Sequence, residues 1–257
     1  MLMLLPPSEG KTAPRRGKPL ALDSLSFPGL TSTRARLLEA VQDLCRSDPE
    51  HAADVLGLPG TRRDLVDQDA VLDSAPTARA DAVYTGVLYD AWAPADASTA
   101  ARRRSAIRVA VTSGLFGLLR PGDRVPAYRL SGDVRLPDLG PVAGLWREVL
   151  GEAALDAVGR GLLVDLRSGT YTAFWRPTGL GDRLATVRVL QERDGKRSVV
   201  SHFNKATKGR LVRALLEDGR DPRTAYALAD LLTELGWHVE TVEEREGVRL
   251  DVVVTEV

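Results

Sequence analysis

Several loops in this chain of 257 residues gather the residue types that handle anions. The longest is Ser113-Gly-Leu-Phe-Gly-Leu-Leu-Arg-Pro-Gly-Asp-Arg-Val-Pro-Ala-Tyr-Arg129. It follows the apolar run Ile107–Thr112, which reads as a buried strand. Strand ends that open into Gly/Pro loops are where α/β proteins place ligands. Arg120 and Arg129 are permanently charged forks suited to phosphate or carboxylate. A turn that merely joined two elements would need neither.

Four further segments carry similar chemistry. Pro6-Pro-Ser-Glu-Gly-Lys-Thr12 follows an apolar strand and resembles half of a phosphate loop. It lacks the first glycine at Walker spacing and no helix follows, so an ATPase loop is not expected. Ser8, Lys11 and the loop N–H groups are candidates to hold an anion. The alternative is a turn in which Glu9 and Lys11 pair in solvent. Ala52-Ala-Asp-Val-Leu-Gly-Leu-Pro-Gly-Thr-Arg-Arg-Asp-Leu-Val66 resembles a helix-hairpin-helix, spanning about 49–67. Its hairpin N–H groups would hold a phosphate beside Arg62 and Arg63. Arg62 stands where the second glycine is usual, and an ordinary helix corner remains open. In Val164-Asp-Leu-Arg-Ser-Gly-Thr-Tyr171, Asp165 is a candidate acid/base or ribose-hydroxyl partner, with Ser168 and Gly169 as donors. A buried Asp capping its own turn is the plainer reading. Ser201-His-Phe-Asn-Lys-Ala-Thr-Lys-Gly-Arg-Leu-Val-Arg213 reads as a strand running into a basic helix start. Cations there oppose the helix dipole, so Lys205, Lys208 and Arg210 are read as ligand-directed rather than a solvated face.

The elements that must position these loops follow from periodicity. Met1–Leu5 is a first strand, and Thr31–Arg46 is an amphipathic helix with Leu37, Leu38, Val41, Leu44 and Cys45 on one side. Short helices are expected at Pro49–Leu56 and Thr61–Asp67. Asp81–Trp92 reads as one helix with an unusual start, and Ala95–Arg104 as a helix ending in three arginines. Pro141–Val158 is helical and Leu162–Leu166 a strand. Leu184–Leu190 and Ser198–Phe203 form a hairpin around Asp194-Gly195, placing His202 and Phe203 on opposite faces of a strand. Helices at Lys205–Leu216 and Arg223–Leu235 precede strands at Trp237–Val242 and Gly247–Val254. The mixture favours one α/β (mixed α+β) domain over residues 1–257, with a mixed sheet flanked by helices.

Composition narrows the function classes. Lys+Arg and Asp+Glu both number 35, which argues against a generic basic nucleic-acid coat protein and leaves room for a local basic patch. Acid gathers near the C-terminus at Glu240, Glu243, Glu244, Glu246 and Asp251. The single cysteine, Cys45, excludes an internal disulfide and a Cys-cluster metal site; it reads as a buried small hydrophobe. With three histidines, no metal site or cofactor motif is legible. No run approaches the ~20 apolar residues of a membrane span. Met1–Leu5 meets Pro6-Pro7 at once, too short for a signal peptide, so a cytoplasmic protein is expected.

Five blocks together resemble the YaaA family of peroxide-stress proteins. They are Leu4-Leu-Pro-Pro-Ser-Glu-Gly-Lys-Thr12, Tyr84-Thr-Gly86, Ser113–Pro121 with Pro126-Ala-Tyr-Arg129, Leu166-Arg-Ser-Gly-Thr-Tyr171, and Phe203-Asn-Lys-Ala-Thr-Lys-Gly-Arg210. The resemblance implies a single mixed α/β domain, a helix-hairpin-helix element, a positive cleft, and DNA binding linked to protection from peroxide and to limiting free iron. Carried over by position, the cleft holds Lys11, Arg120, Arg129, Lys205 and Arg210, with Tyr84, Tyr128 and Ser168 beside them. Asp165 stands where many members have Asn, Phe116 where Tyr is usual, and Ala127 where Pro is common. Two readings follow. One is DNA binding, duplex or locally unpaired, with Tyr84, Tyr128 or Tyr171 stacking on a base. The other is an enzyme acting on a nucleotide or nucleobase, with Asp165 or Asp123 as the carboxylate and Tyr84 and Ser168 beside it. A small-anion sensor is a third, plainer possibility.

Overall fold

The computed structural model describes residues 1–59, 62–193, 195–199 and 201–255. Its organising strand is β1 (Leu2–Leu5), four apolar residues that are all buried. Such a run, covered on both faces, belongs in the middle of a parallel sheet. It pairs in parallel with β3 (Val109–Ser113) on one side and β8 (Leu163–Asp165) on the other. Both neighbours are buried throughout.

The sheet continues outward from these three strands. β4 (Gly117–Leu119) runs antiparallel beside β3, joined by a tight connection over Gly114–Phe116. On the other side come β9 (Leu184–Arg193), β12 (Val248–Val254) and the antiparallel edge strand β11 (His238–Glu243). β10 (Lys196–Ser198) pairs with the far half of β9. The order is β11-β12-β9-β8-β1-β3-β4, a mixed eight-stranded sheet. Two minor ribbons lie outside it. β2 (Ala78–Arg79) pairs with β5 (Arg124–Val125), and β6 (Arg135–Leu136) with β7 (Gly140–Pro141).

Helices flank the sheet. They are α1 (Thr31–Ser47), α2 (Pro49–Val55), α3 (Asp64–Asp69), α4 (Ala80–Val83) and α5 (Val87–Trp92). Then follow α6 (Thr99–Arg108), α7 (Val142–Val158), α8 (Gly169–Thr172), α9 (Ser201–Asp218) and α10 (Ala225–Glu234). α1 buries Leu37, Leu38, Val41 and Cys45, as its periodicity requires. Burial pushes the Cys45 thiol up to about 12, so it packs as an inert small hydrophobe. The same helix buries Arg34 completely. Its guanidinium donates to the carbonyls of Ser26, Phe116 and Leu118, tying α1 to β4.

Four expectations are corrected. The continuous helix Asp81–Trp92 is broken into α4 and α5 at Tyr84–Gly86. Backbone groups there turn to the loop after β1. Thr12 N donates to Val83 O, Thr85 N to Gly10 O, and Lys11 and Tyr84 form an isolated bridge. Gly86, with φ +93, allows the chain to re-enter a helix. α6 starts later than expected because Ser98 accepts the N–H of Ala101, so Arg102–Arg104 lie mid-helix rather than at its end. Arg104 and Arg108 instead cap the carbonyl end of α9, reaching Leu216, Glu217, Gly219 and Arg220. The partner of β9 is Lys196–Ser198, and residues 201–203 are already helical, so His202 and Phe203 do not lie on a strand. Asp194, in the expected turn, lies outside the described residues, and Gly195 has φ +70. Finally, α3 begins at Asp64, after a turn at Arg62–Arg63; Gly60 and Thr61, at the tip of the expected hairpin, lie outside the described residues.

α9 lies so close to α5 that a Cβ on Gly209 would meet Leu88 O at 2.2 Å and Ala91 Cβ at 2.9 Å. Gly209→Ala should therefore destabilise the fold by ~1–3 kcal/mol through forced separation of these helices. Gly29→Ala, whose Cβ would meet nothing within 4 Å, should be near neutral. Urea unfolding of the two variants checks this; equal midpoints would remove the close-approach argument.

Candidate functional site

β1, β3 and β8 point the same way, so the loops that leave them emerge at one edge of the sheet. Such a carboxyl edge is the usual ligand position in open α/β sheets. The loop after β1 folds back on itself. The Ser8 hydroxyl donates to Gly10 O (2.6 Å) and accepts from Thr85 N (3.0 Å). Lys11 Nζ donates to Ser8 O at 2.8 Å. The ammonium lies 4.4 Å from the ring centroid of Tyr128 and 5.5 Å from that of Tyr84.

Beneath Lys11 runs a buried hydroxyl chain. Tyr84 and Tyr128 share a hydrogen bond of 2.9 Å, Tyr128 and Ser113 one of 2.7 Å, and Ser113 Oγ accepts from Phe116 N at 2.8 Å. Tyr84 stacks on Tyr89, whose hydroxyl donates to Pro6 O. Burial raises the pKa of all three tyrosines, so they stay neutral. Tyr84 and Tyr128 are 2% exposed and form the floor of the site. They are not placed to stack on a base from solvent, which corrects that expectation. Tyr171 is half-buried and sits edge-on to Phe174.

Asp69 and Arg129 lie near Lys11. Asp69, the last residue of α3, is fully buried, and both its oxygens accept the backbone N–H of Arg129 (2.9 and 3.1 Å). Burial pushes its carboxyl up to about 8, against that N–H and the nearby charges of Lys11 and Arg129. Burial, and then the Arg129 charge, push Lys11 down to about 7, opposed by Asp69 and Glu9. The Arg129 Nη1 reaches Glu9 Oε2 only at 3.9 Å, and Glu9 itself is 87% exposed. The Nε of Arg129 is buried and, among the described residues, has no hydrogen-bond partner. An unmet cationic donor of this kind is costly unless a ligand completes it.

A second cluster at this edge comes from β8 and α9. Asp165 is held by Arg167 through its backbone N–H (3.0 Å), Nε (2.9 Å) and Nη2 (2.7 Å). Arg167 also donates to the carbonyls of Tyr171 and Trp175. This pair is closed on itself, and Asp165 anchors the turn rather than presenting a free carboxylate. Lys208 Nζ donates to Leu166 O at 3.0 Å, and burial pushes its amine down to about 8 against the Asp165 charge. Lys205, one turn earlier on α9, is exposed, as are Arg210 and Ser168.

Other predicted residues lie elsewhere. Arg120 donates to Ile107 O and Val109 O at the start of β3 and covers the Phe27 ring at 4.9 Å. It serves the opposite edge of the sheet, because β4 runs back antiparallel to β3. Asp123 accepts from Ser26 and from Arg120 N at that same end, so it is not a cleft carboxylate. Arg62 and Arg63 are exposed and pair with Asp64 and Glu50. Asp69, Ser113 and Arg167 were missed in the sequence. The available signal for Asp69 was a carboxylate three residues after the buried Val66, where helical spacing calls for an apolar residue.

The charge state of this cluster sets a pH dependence. Between about 3.8 and 8 folded Asp69 keeps a proton that the unfolded chain has lost, so rising pH weakens folding through this group. Between about 7 and 10.5 the unfolded chain holds a proton that folded Lys11 lacks, so this second group restores stability as pH rises. Asp69→Asn should remove the first slope, and its gain in Tm over the native protein should grow from about pH 5 to about pH 8. Parallel thermal-unfolding curves for both proteins across that range would show that Asp69 is not held protonated.

Among the described residues no helix is long and apolar enough to cross a membrane. The family model described as "Peroxide stress protein YaaA" matches residues 1–241. A UPF0246 protein of Streptomyces coelicolor is 48% identical over 261 residues, covering all of both chains. One from Corynebacterium efficiens is 43% identical, covering 96% of this chain and 97% of the relative. One from Corynebacterium glutamicum is 39% identical, covering 93% and 95%. A match of this extent, spanning every strand and loop of the candidate site, makes the chain a member of the peroxide stress protein YaaA family.

Proposed function

We propose that this peroxide-stress family member binds nucleic acid through phosphates seated at the carboxyl edge of its sheet. The observation that carries this reading is Arg129, whose buried Nε lacks an acceptor beside the enclosed ammonium of Lys11. A phosphate oxygen would satisfy that donor and neutralise the excess positive charge. The exposed cations Lys205 and Arg210 on the first turns of α9 extend the path for a charged backbone, and Lys208 underlies it. Acid lies far along the sheet, with Glu240 and Glu243 on the edge strand β11. A neutral chain can thereby present a local basic face. Arg62 and Arg63, in the helix-hairpin-helix-like segment, are proposed as outer phosphate contacts, reached by exchange from their exposed acidic partners.

A second reading is chemistry on a nucleotide or nucleobase in the same cleft. It is favoured by Lys11 and Asp69, two buried titratable groups pushed towards their neutral forms near neutral pH. In that reading Lys11 and Asp69 take the reactive roles. Asp165 orients its turn, and Ser168 stands at the rim.

Fluorescence anisotropy with duplex, single-stranded and bubble DNA across a salt series tests the binding reading. Affinity should fall steeply with salt. Arg129→Ala should weaken binding about tenfold or more, and Lys205→Ala should lower the salt slope by about 1. Arg120→Ala should leave affinity unchanged. No binding of any DNA form at low salt would overturn the proposal.

A further inference from the structure

Lys11 is arranged less like a surface cation than like an amine held for use. Its Nζ donates to one backbone carbonyl at 2.8 Å and approaches a second, Glu9 O, at 3.5 Å. Among the described residues no carboxylate oxygen comes within 4 Å of it to form an ion pair. It rests on the faces of two buried tyrosines. The residue is partly buried, and the charges of Arg129, Asp69 and Glu9 act on it. Arg129 carries the unmet Nε. An amine on an apolar aromatic floor, next to an unfilled anion donor, matches a substrate that bears a carbonyl and a phosphate close together.

We propose that Lys11 forms an imine with the aldehyde of a phosphate-flanked sugar, the phosphate lying on Arg129 and the aldehyde carbon meeting Nζ. The proposal rests on the phosphate-binding reading above and names its substrate class. In nucleic acid the group of this description is a deoxyribose that has lost its base and opened to the free aldehyde. The nitrogen lone pair adds to the carbonyl carbon, and one nitrogen proton moves to the former carbonyl oxygen to give a carbinolamine. The carbon–oxygen bond then breaks. The hydroxyl leaves as water with the second nitrogen proton, and the C=N bond forms. One amine and one aldehyde give one imine and one water, with no oxidant or reductant.

The surroundings serve each step. Burial keeps a large fraction of the amine uncharged near neutral pH, which nucleophilic attack requires. Asp69 is held protonated by its burial and its charge is felt by Lys11, so it is the group to relay that proton, giving one to the departing hydroxyl and recovering the second nitrogen proton. The Tyr84–Tyr128–Ser113 chain beneath is buried, neutral and bonded within itself, so it fixes the two rings under the amine without adding charge. Lys208 is less suited to attack. Its ammonium is buried and directed at the Leu166 and Arg167 carbonyls.

The full chain is incubated with sodium cyanoborohydride and an oligonucleotide duplex holding one abasic site, and adducts are read on denaturing gels and by peptide mass mapping. The expected result is a covalent adduct on Lys11, absent with an intact duplex. Adduct yield should rise several-fold from about pH 6 to about pH 8. Lys11→Arg, which keeps a cation, should lower trapping at least a hundredfold. Its thermal unfolding and its affinity for intact duplex are measured in parallel. Because the site is mapped on the native protein, misfolding of the variant would not decide the outcome. Binding of duplex DNA without an adduct on Lys11 would overturn the imine and leave the phosphate reading standing. If no DNA binds, glycolaldehyde phosphate with cyanoborohydride replaces the oligonucleotide. An adduct on Lys11 then keeps the imine with a free sugar phosphate as substrate, and its absence overturns it.

Discussion

The structure depends on the double parallel pairing of β1. A strand with neighbours on both sides and helices over both faces can offer no polar side chain to water, so Leu2–Leu5 are all apolar and all buried. The chain can become polar only where the strand ends. Pro6 and Pro7 make that exit abrupt, because neither can donate to a further ladder bond. The loop that follows is thus delivered to a fixed place, between the ends of β3 and β8. Thr112 reinforces the position by donating to Leu5 O. The break between α4 and α5 is a consequence, since Tyr84 and Thr85 leave helical geometry to pair with Lys11 and Gly10.

Two arginine–aspartate pairings near this edge show how burial separates architecture from function. Arg167 and Asp165 meet through two side-chain hydrogen bonds and a backbone one, and the remaining donors of Arg167 find carbonyls. A buried ion pair survives when every polar group is satisfied. Arg129 engages Asp69 only through its backbone N–H, which leaves the guanidinium directed elsewhere, with a buried Nε unmatched. The first pair stiffens the turn after β8. The second holds a carboxyl and a cation near Lys11 without letting them neutralise each other. The contrast explains why Asp165, the more conspicuous carboxylate in the sequence, is the less available one.

Much of the scaffold was legible because its signals are local. The helical spacing of Leu37, Leu38, Val41 and Cys45 marks α1 to within a residue, and Gly236 stops the helix before β11. Errors cluster where a long-range contact overrides local preference. Asp81–Trp92 is a good helical pattern interrupted by a loop some seventy residues earlier in the chain. Ser198–Phe203 alternates like a strand, yet its last three residues begin α9, whose packing against α5 is among the tightest in the molecule.

By itself the sequence determined that apolar strands end in Gly, Pro, Lys and Arg-rich loops, and hence that cations gather where the strands end. Residue type and spacing carry that information, because desolvating a strand and solvating a cation are local requirements. Tertiary structure alone decided which cations share the edge. Arg120 and Arg129 belong to one loop, but the reversal of direction between β3 and β4 sends the former to the opposite end of the sheet. Asp69 resembles any helical aspartate until α3 carries it against the Arg129 backbone. Whether a charge is neutralised, shifted or left unmet depends on its surroundings in space, and sequence distance does not encode those surroundings.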